Sequence, residues 1–194
     1  MSFIQTGNSY PGILGLLYYK SSTGKTLSSF AHSLLKGPSG LTSGERELIA
    51  SYVSKLNQCD LCCDSHSAAA ACHLNQNELV EQVKKDFRQA AISPKMKALL
   101  EIATKVQKSG REVMTSDIDK ARQQGASDQD IHDAVLIAAA FCMFNRYVDG
   151  LGTIPAQDDE YPEMGKQLAH RGYKYPPLII RWLVRRILNK KFQK

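Results

Sequence analysis

One helix start after another is written into this chain. Thr42 stands three residues before Glu45, a spacing at which each side chain caps the other's backbone, and Leu48, Ile49, Tyr52, Val53 and Leu56 follow at helical intervals. The pattern predicts a helix over 43–56, closed by Asn57-Gln58, with a second helix behind it carrying a cysteine cluster and Ala68 to Ala71. Ser93-Pro94 opens another, with proline at the first helical position and Ala98, Leu99, Ile102, Ala103 and Val106 behind it. A short helix after Thr115 stops at Gly125, and Ser127, with Asp130 in the first turn, caps a long apolar helix that ends in NRYVDGLG. Strand-like alternation and Asn-Gly hairpin pairs are absent, so the fold class is all-α.

Punctuation divides the rest. Residues 1–40 are broken by Pro11, Gly12, Gly24, Gly37, Pro38 and Gly40, leaving apolar pieces at Ile13–Tyr19 and Leu27–Leu35 that read as short helices wrapped on a core. Residues 41–155 form that core, and 156–194 supply C-terminal helices. A faint echo links LTSGERELIA from Leu41 to ISPKMKALLE from Ile92, with Ala98 in the place of Glu47 and Gly110 in the place of Cys59. A chain of 194 residues, 43% apolar and 23% charged, is sufficient for one sizeable core.

The first twenty residues lack the pattern of a secretory signal. The longest apolar run, Ala134 to Phe144, is well short of the ~20 residues that span a bilayer. A cytoplasmic protein is expected, with its five cysteines in a reducing compartment. The net charge of +6 resides in the last seventeen residues, where Arg181, Arg185, Arg186, Lys190, Lys191 and Lys194 meet no acid; the remaining body is neutral and gives no argument for nucleic-acid binding. After Pro176-Pro177 this tail reads as an amphipathic helix, with Ile179, Ile180, Leu183, Val184, Ile187 and Leu188 on its apolar face. Docking on the body or on a neighbouring subunit is favoured over a membrane surface.

Chemistry concentrates in CDLCCDSH, Cys59 to His66. At 100° per residue, Cys59, Cys62, Cys63 and His66 share one helix face. Four ligands on one straight face cannot surround zinc tetrahedrally, and no second ligand pair exists elsewhere, so no metal and no cofactor is expected. Redox chemistry asks less: residues at i and i+3 lie about 5–6 Å apart at Cβ, and a small tightening of a first turn brings two sulfurs to bonding range. Cys59 at the helix start fits this, and the free N–H groups there favour a thiolate. His66 lies one turn beyond Cys62, within proton-exchange reach. If the helices on either side of Asn57-Gln58 fold back on each other, Glu47 faces His66, in line with the small residues Ala50, Ser51 and Ser54; a solvated surface carboxylate is the competing reading. Cys72 and His73 read as packing or surface residues. Asn145, Arg146 and Asp149 are explained by the end of an apolar helix, with a polar wall beside the thiols as the alternative.

The spacing Glu47, eleven residues, Cys59-x-x-Cys62, three residues, His66 resembles the alkylhydroperoxidase D family, related in fold to carboxymuconolactone decarboxylases. ERELIASYVSKLNQCDLCCDSHSAAAA and DIHDAVLIAAAFCMFNRYVDGLG are similar to its peroxidase-related branch. The likeness, over roughly residues 10–155, implies a helical bundle of antiparallel helix pairs, homo-oligomers, and reduction of organic hydroperoxides by a cysteine pair that a dithiol or lipoyl-type reductant recycles. It implies that Cys62 attacks the peroxide, Cys59 resolves the sulfenic acid, and His66 with Glu47 relays the proton. Where the best-known members carry a further His before the second cysteine, this chain has Leu61, so its relay is shorter. A disulfide oxidoreductase, a thiol redox sensor and a binding module built on the tail are the competing functions.

Overall fold

The computed structural model describes residues 2–8, 10–153 and 157–177. These residues form the helices α1 (Ile13–Tyr19), α2 (Ser21–Lys36), α3 (Ser43–Leu56), α4 (Asp60–Leu74), α5 (Asn77–Asp86), α6 (Pro94–Lys108), α7 (Thr115–Gln123), α8 (Asp128–Gly150) and α9 (Tyr161–Arg171), with no strand among them. The all-α expectation holds.

Local chemistry accounts for the boundaries. The Thr42 hydroxyl accepts from the Glu45 N–H at 3.2 Å while the Glu45 carboxylate accepts from the Thr42 N–H at 2.8 Å. Ser93 and Ser127 cap α6 and α8 by accepting from the N–H three residues on, at 3.2 and 3.1 Å. Between α3 and α4, Gln58 takes a left-handed backbone with φ 60°, which stops one helix and turns the chain back along it.

α3 is the central helix. Arg46 to Ser54 is buried without a break, so its polar groups must find partners inside the protein. Arg46 donates to the carbonyls of Leu34 and Gly37 at 3.0 and 2.9 Å, closing the end of α2. Ser51 meets Ser67 of α4 at 2.7 Å. α4 covers the small-residue face of α3, α6 and α8 cover its apolar face, and α9 lies on the far side of α4. α8 is long and apolar enough to cross a membrane by length and composition, but here it is a core helix, with Ile131, Ala134, Ile137, Ala138 and Phe141 buried.

The N-terminal region departs from the sequence reading. α2 is not a short piece at Leu27–Leu35 but runs for 16 residues straight through Gly24. Gly24 sits there because α1 and α2 meet at a tight corner, where a Cβ would run into the Leu17 carbonyl. α5 fills a stretch for which no helix was foreseen. The echo between α3 and α6 extends to their caps, but Gly110 opens a single 3-10 turn, not a second cysteine helix. Residues 178–194, where the amphipathic tail helix is expected, lie outside the described residues, as do 154–156.

Candidate active site

Cys59 is the N-cap residue of α4, Cys62 stands in the first turn and His66 one turn further on. Both thiols are buried, with 1% and 8% of their surface exposed. Cys59 stands beside Cys62, and the hydrogen bond it can offer is the first of the influences that lower the Cys62 thiol from its ordinary value. Burial opposes it; the charge of His66 and the amide of Asn145 add to it, and Asp149 works weakly against it. Cys59 is pushed in the other direction, because its proton is committed to Cys62 and it is itself buried. The two cysteines of the pair are therefore unequal: Cys62 is the more readily ionised thiol and Cys59 the less. Cys63 turns away toward Ser51 and Ser67, its sulfur 4.0 Å from the Ser67 hydroxyl, and burial raises its thiol.

The fold-back of α3 and α4 brings Glu47 to His66, with Oε2 and Nδ1 2.7 Å apart. Glu47 is fully buried, so the surface-carboxylate reading fails. Phe141 of α8 meets the His66 ring edge-on at 4.6 Å, and the Tyr173 ring lies nearly parallel to it, at 14° and 5.8 Å between centroids.

Tyr173 was not foreseen. Its hydroxyl donates to Glu47 Oε1 at 2.6 Å and lies 3.3 Å from His66 Nδ1. Burial, then the charge of Glu47 and the bond to it, holds the phenol proton well above its usual range. The chain reaches this point through Gly172, whose φ of 67° turns it back after α9. The Tyr173 N–H donates to His32 Nδ1 at 3.3 Å, and the Tyr175 hydroxyl donates to Ser21 at 3.0 Å, which straps the segment across α2. A lone tyrosine 107 positions beyond His66 carries no sequence signal that would link the two.

Of the helix-end residues, Asn145 and Asp149 face the cysteine pair, whereas Arg146 is exposed and folds back along its own helix, donating to the Cys142 carbonyl at 2.8 Å. Asn145 is itself fixed: its amide donates to Ser54 at 3.1 Å, and its carbonyl accepts from Asn57 at 2.7 Å. Cys72 is exposed, and His73 meets the Lys36 ammonium at 2.8 Å; neither joins the site. Among the described residues no group of three His, Cys, Asp or Glu side chains could hold a metal ion.

Cys62, His66 and Tyr173 open onto one apolar cavity of about 190 Å³, walled by Leu17, Ala31, Leu61, Phe144, Met164 and Leu168. The arrangement can ionise a thiol, hold a second thiol beside it, and present the reacting sulfur to an apolar molecule while excluding bulk water.

The carboxymuconolactone decarboxylase family model matches residues 22–74, which include Glu47, Cys59, Cys62 and His66. No curated protein matches the chain. Among solved structures, an uncharacterized peroxidase-related protein from Ralstonia eutropha JMP134, described as an alkylhydroperoxidase AhpD core, is 31% identical over 80% of this chain and 81% of its own, with a TM-score of 0.73. A second uncharacterized peroxidase-related protein, from Silicibacter sp. TM1040, is 27% identical over 78% of both chains, also with a TM-score of 0.73. A protein of unknown function from Agrobacterium tumefaciens, a putative antioxidant defence protein AhpD, shares the fold at 18% identity, covering 75% of this chain and 99% of its own with a TM-score of 0.61. With its helical fold and its Glu47, Cys59, Cys62 and His66 constellation, the chain belongs to the AhpD-like branch of the carboxymuconolactone decarboxylase family, among peroxidase-related proteins.

Proposed function

We propose that the protein is a thiol-dependent peroxidase that reduces organic hydroperoxides and is recycled by a dithiol. The observation that carries this reading is a buried pair of unequal thiols, Cys59 and Cys62, with Cys62 on the wall of an apolar cavity beside His66. Cys62 passes its proton to His66, held by Glu47, and the thiolate attacks the terminal oxygen of the hydroperoxide. The O–O bond breaks, the alkoxide takes a proton from His66 and leaves as the alcohol, and Cys62 becomes a sulfenic acid. The Cys59 sulfur then displaces hydroxide, which takes the Cys59 proton to form water, and a Cys59–Cys62 disulfide results. An external dithiol reduces that disulfide and is oxidised to its own. A reducing compartment such as the cytoplasm supplies the partner.

The cavity sets the substrate scale. An apolar cavity of ~150 Å³ takes benzene, so the 190 Å³ here suits a hydroperoxide with an aromatic or branched body the size of cumene. Burial of both sulfurs favours this over exchange with protein disulfides, and recommends a slender dithiol such as dihydrolipoamide as reductant.

Steady-state consumption of cumene hydroperoxide with dihydrolipoamide, beside thioredoxin, tests the reading. Cys62→Ser should abolish turnover. Cys59→Ser should oxidise once and leave a dimedone-trappable sulfenic acid on Cys62, and Cys63→Ser should retain turnover. A single oxidation without turnover in the unaltered protein would instead make it a redox sensor, and a dimedone adduct on Cys63 would overturn the assignment of the cysteines.

A further inference from the structure

We propose that Tyr173 is a positioning residue of the thiol site: its hydroxyl, donated to Glu47 Oε1, holds that carboxylate turned to His66 Nδ1, and so holds the imidazole in place beside Cys62. The inference rests on Cys62 being the reacting thiol.

Glu47 is fully buried, and a buried carboxylate needs each oxygen paired. His66 satisfies Oε2 at 2.7 Å and Tyr173 satisfies Oε1 at 2.6 Å. The phenol proton is tightly held, so Tyr173 acts as a donor that does not itself ionise. Its ring, 14° from parallel to the His66 ring, together with Phe141 at 89° on another side, fixes the plane of the imidazole. With Nδ1 engaged by Glu47, the nitrogen left to serve the cavity is Nε2. Without the hydroxyl, Oε1 would be buried with no donor, and the carboxylate would be free to turn from His66 in search of one. The imidazole would lose its fixed place, and Cys62 would lose part of an influence that favours its thiolate.

Other groups bear on the same balance and remain in place. Lys36 of α2, Arg46 of α3 and His73 of α4 all feel the charge of Glu47, while Cys59, Asn145 and Asp149 act on Cys62 directly. The contribution of Tyr173 is therefore a fraction of the whole, which sets the size of the expected effect. It is also one that a strap from the C-terminal side of the chain supplies to a site otherwise built from α3, α4 and α8.

The test reads Cys62 without peroxide, so that it can fail separately from the peroxidase reading. The rate of iodoacetamide modification at Cys62 is followed across pH by peptide mass spectrometry in the unaltered protein and in Tyr173→Phe, which keeps the ring and removes the hydroxyl. The variant's profile should move to higher pH, with modification at neutral pH slowed about 2- to 10-fold, the worth of one ordinary hydrogen bond. In a Glu47→Gln background the same substitution should add nothing. Superimposable profiles for Tyr173→Phe and the unaltered protein would overturn the inference, as would an equal further slowing in the Glu47→Gln background. A Cys62 no more reactive than an ordinary thiol in the unaltered protein would sink the peroxidase reading first. Should Tyr173→Phe fail to fold, the unaltered protein decides: the Tyr173 hydroxyl proton should give its own magnetic resonance signal with a cross-peak to the His66 ring, and its absence from a folded spectrum refutes the assignment.

Discussion

Replacing Asn145 by leucine, which has nearly the same shape, removes one of the influences that lower the Cys62 thiol while leaving Cys59, His66 and the cavity in place. A hydrogen bond to a charged group contributes roughly 1.5–3 kcal/mol, a factor of about 12 to 160 in the balance between thiol and thiolate. A more basic thiolate is also a better nucleophile, and with a Brønsted slope near 0.5 about half of that free energy returns in the attack itself. The net loss in oxidation rate at neutral pH is therefore about 4- to 13-fold. Because the Asn145 amide also bonds Ser54, the lower end is expected. The sign then reverses. Removing that influence shifts Cys62 ionisation to higher pH, so below that range the variant is slower, and once both proteins are fully ionised the variant is faster by a similar factor. The assay is single-turnover oxidation of reduced protein by cumene hydroperoxide over a range of pH, quenched and read as the Cys59–Cys62 disulfide. Profiles that fall in parallel at every pH, without crossing, would refute the reasoning and assign Asn145 to the anchoring of α8 on Asn57 and Ser54 alone.

Two further outcomes follow from the packing. Ala31 lines the cavity, and Ala31→Leu should raise KM for cumene hydroperoxide about 10-fold or more, at 1–3 kcal/mol per misplaced methylene, while leaving turnover of hydrogen peroxide unchanged. Phe87, 1% exposed and edge-on to Tyr52 at 5.3 Å, lies in the core away from the thiols; Phe87→Ala should cost about 3–5 kcal/mol in urea denaturation and leave the oxidation rate of the folded protein unaltered.

Much of the helical framework was legible because it is local. Thr42, Ser93 and Ser127 cap helices by contacts three residues long, and Asn57-Gln58 ends α3 by its own backbone. The pairing of Glu47 with His66 was also legible, since a hairpin of two helices about a known turn fixes which residues oppose each other. Helical phase placed Cys59, Cys62 and His66 on one face, but Cys63, foreseen on that face too, turns to Ser51 and Ser67. α2 through Gly24 was not legible, because the glycine answers a tertiary contact with Leu17 and not a local break.

The environment of the site was decided by tertiary structure. The small residues in line with Glu47 allow a close helix pair but leave a surface carboxylate open; α4 and the Tyr173 strap decide that it is buried. Asn145 and Arg146 are neighbours in a helix-end motif, yet the phase of α8 against α3 sends one to Cys62 and the other to solvent. The cavity arises only where α1, α2, α4, α8 and α9 meet, and Tyr173 joins His66 across 107 residues. Spacing alone marks Cys59, Cys62 and His66 as candidates for thiol chemistry, because spacing on a helix is a property of a few adjacent residues. How acidic the Cys62 thiol is and what molecule reaches it were decided by the assembled fold, because burial, field and shape are sums over atoms that are distant in the chain.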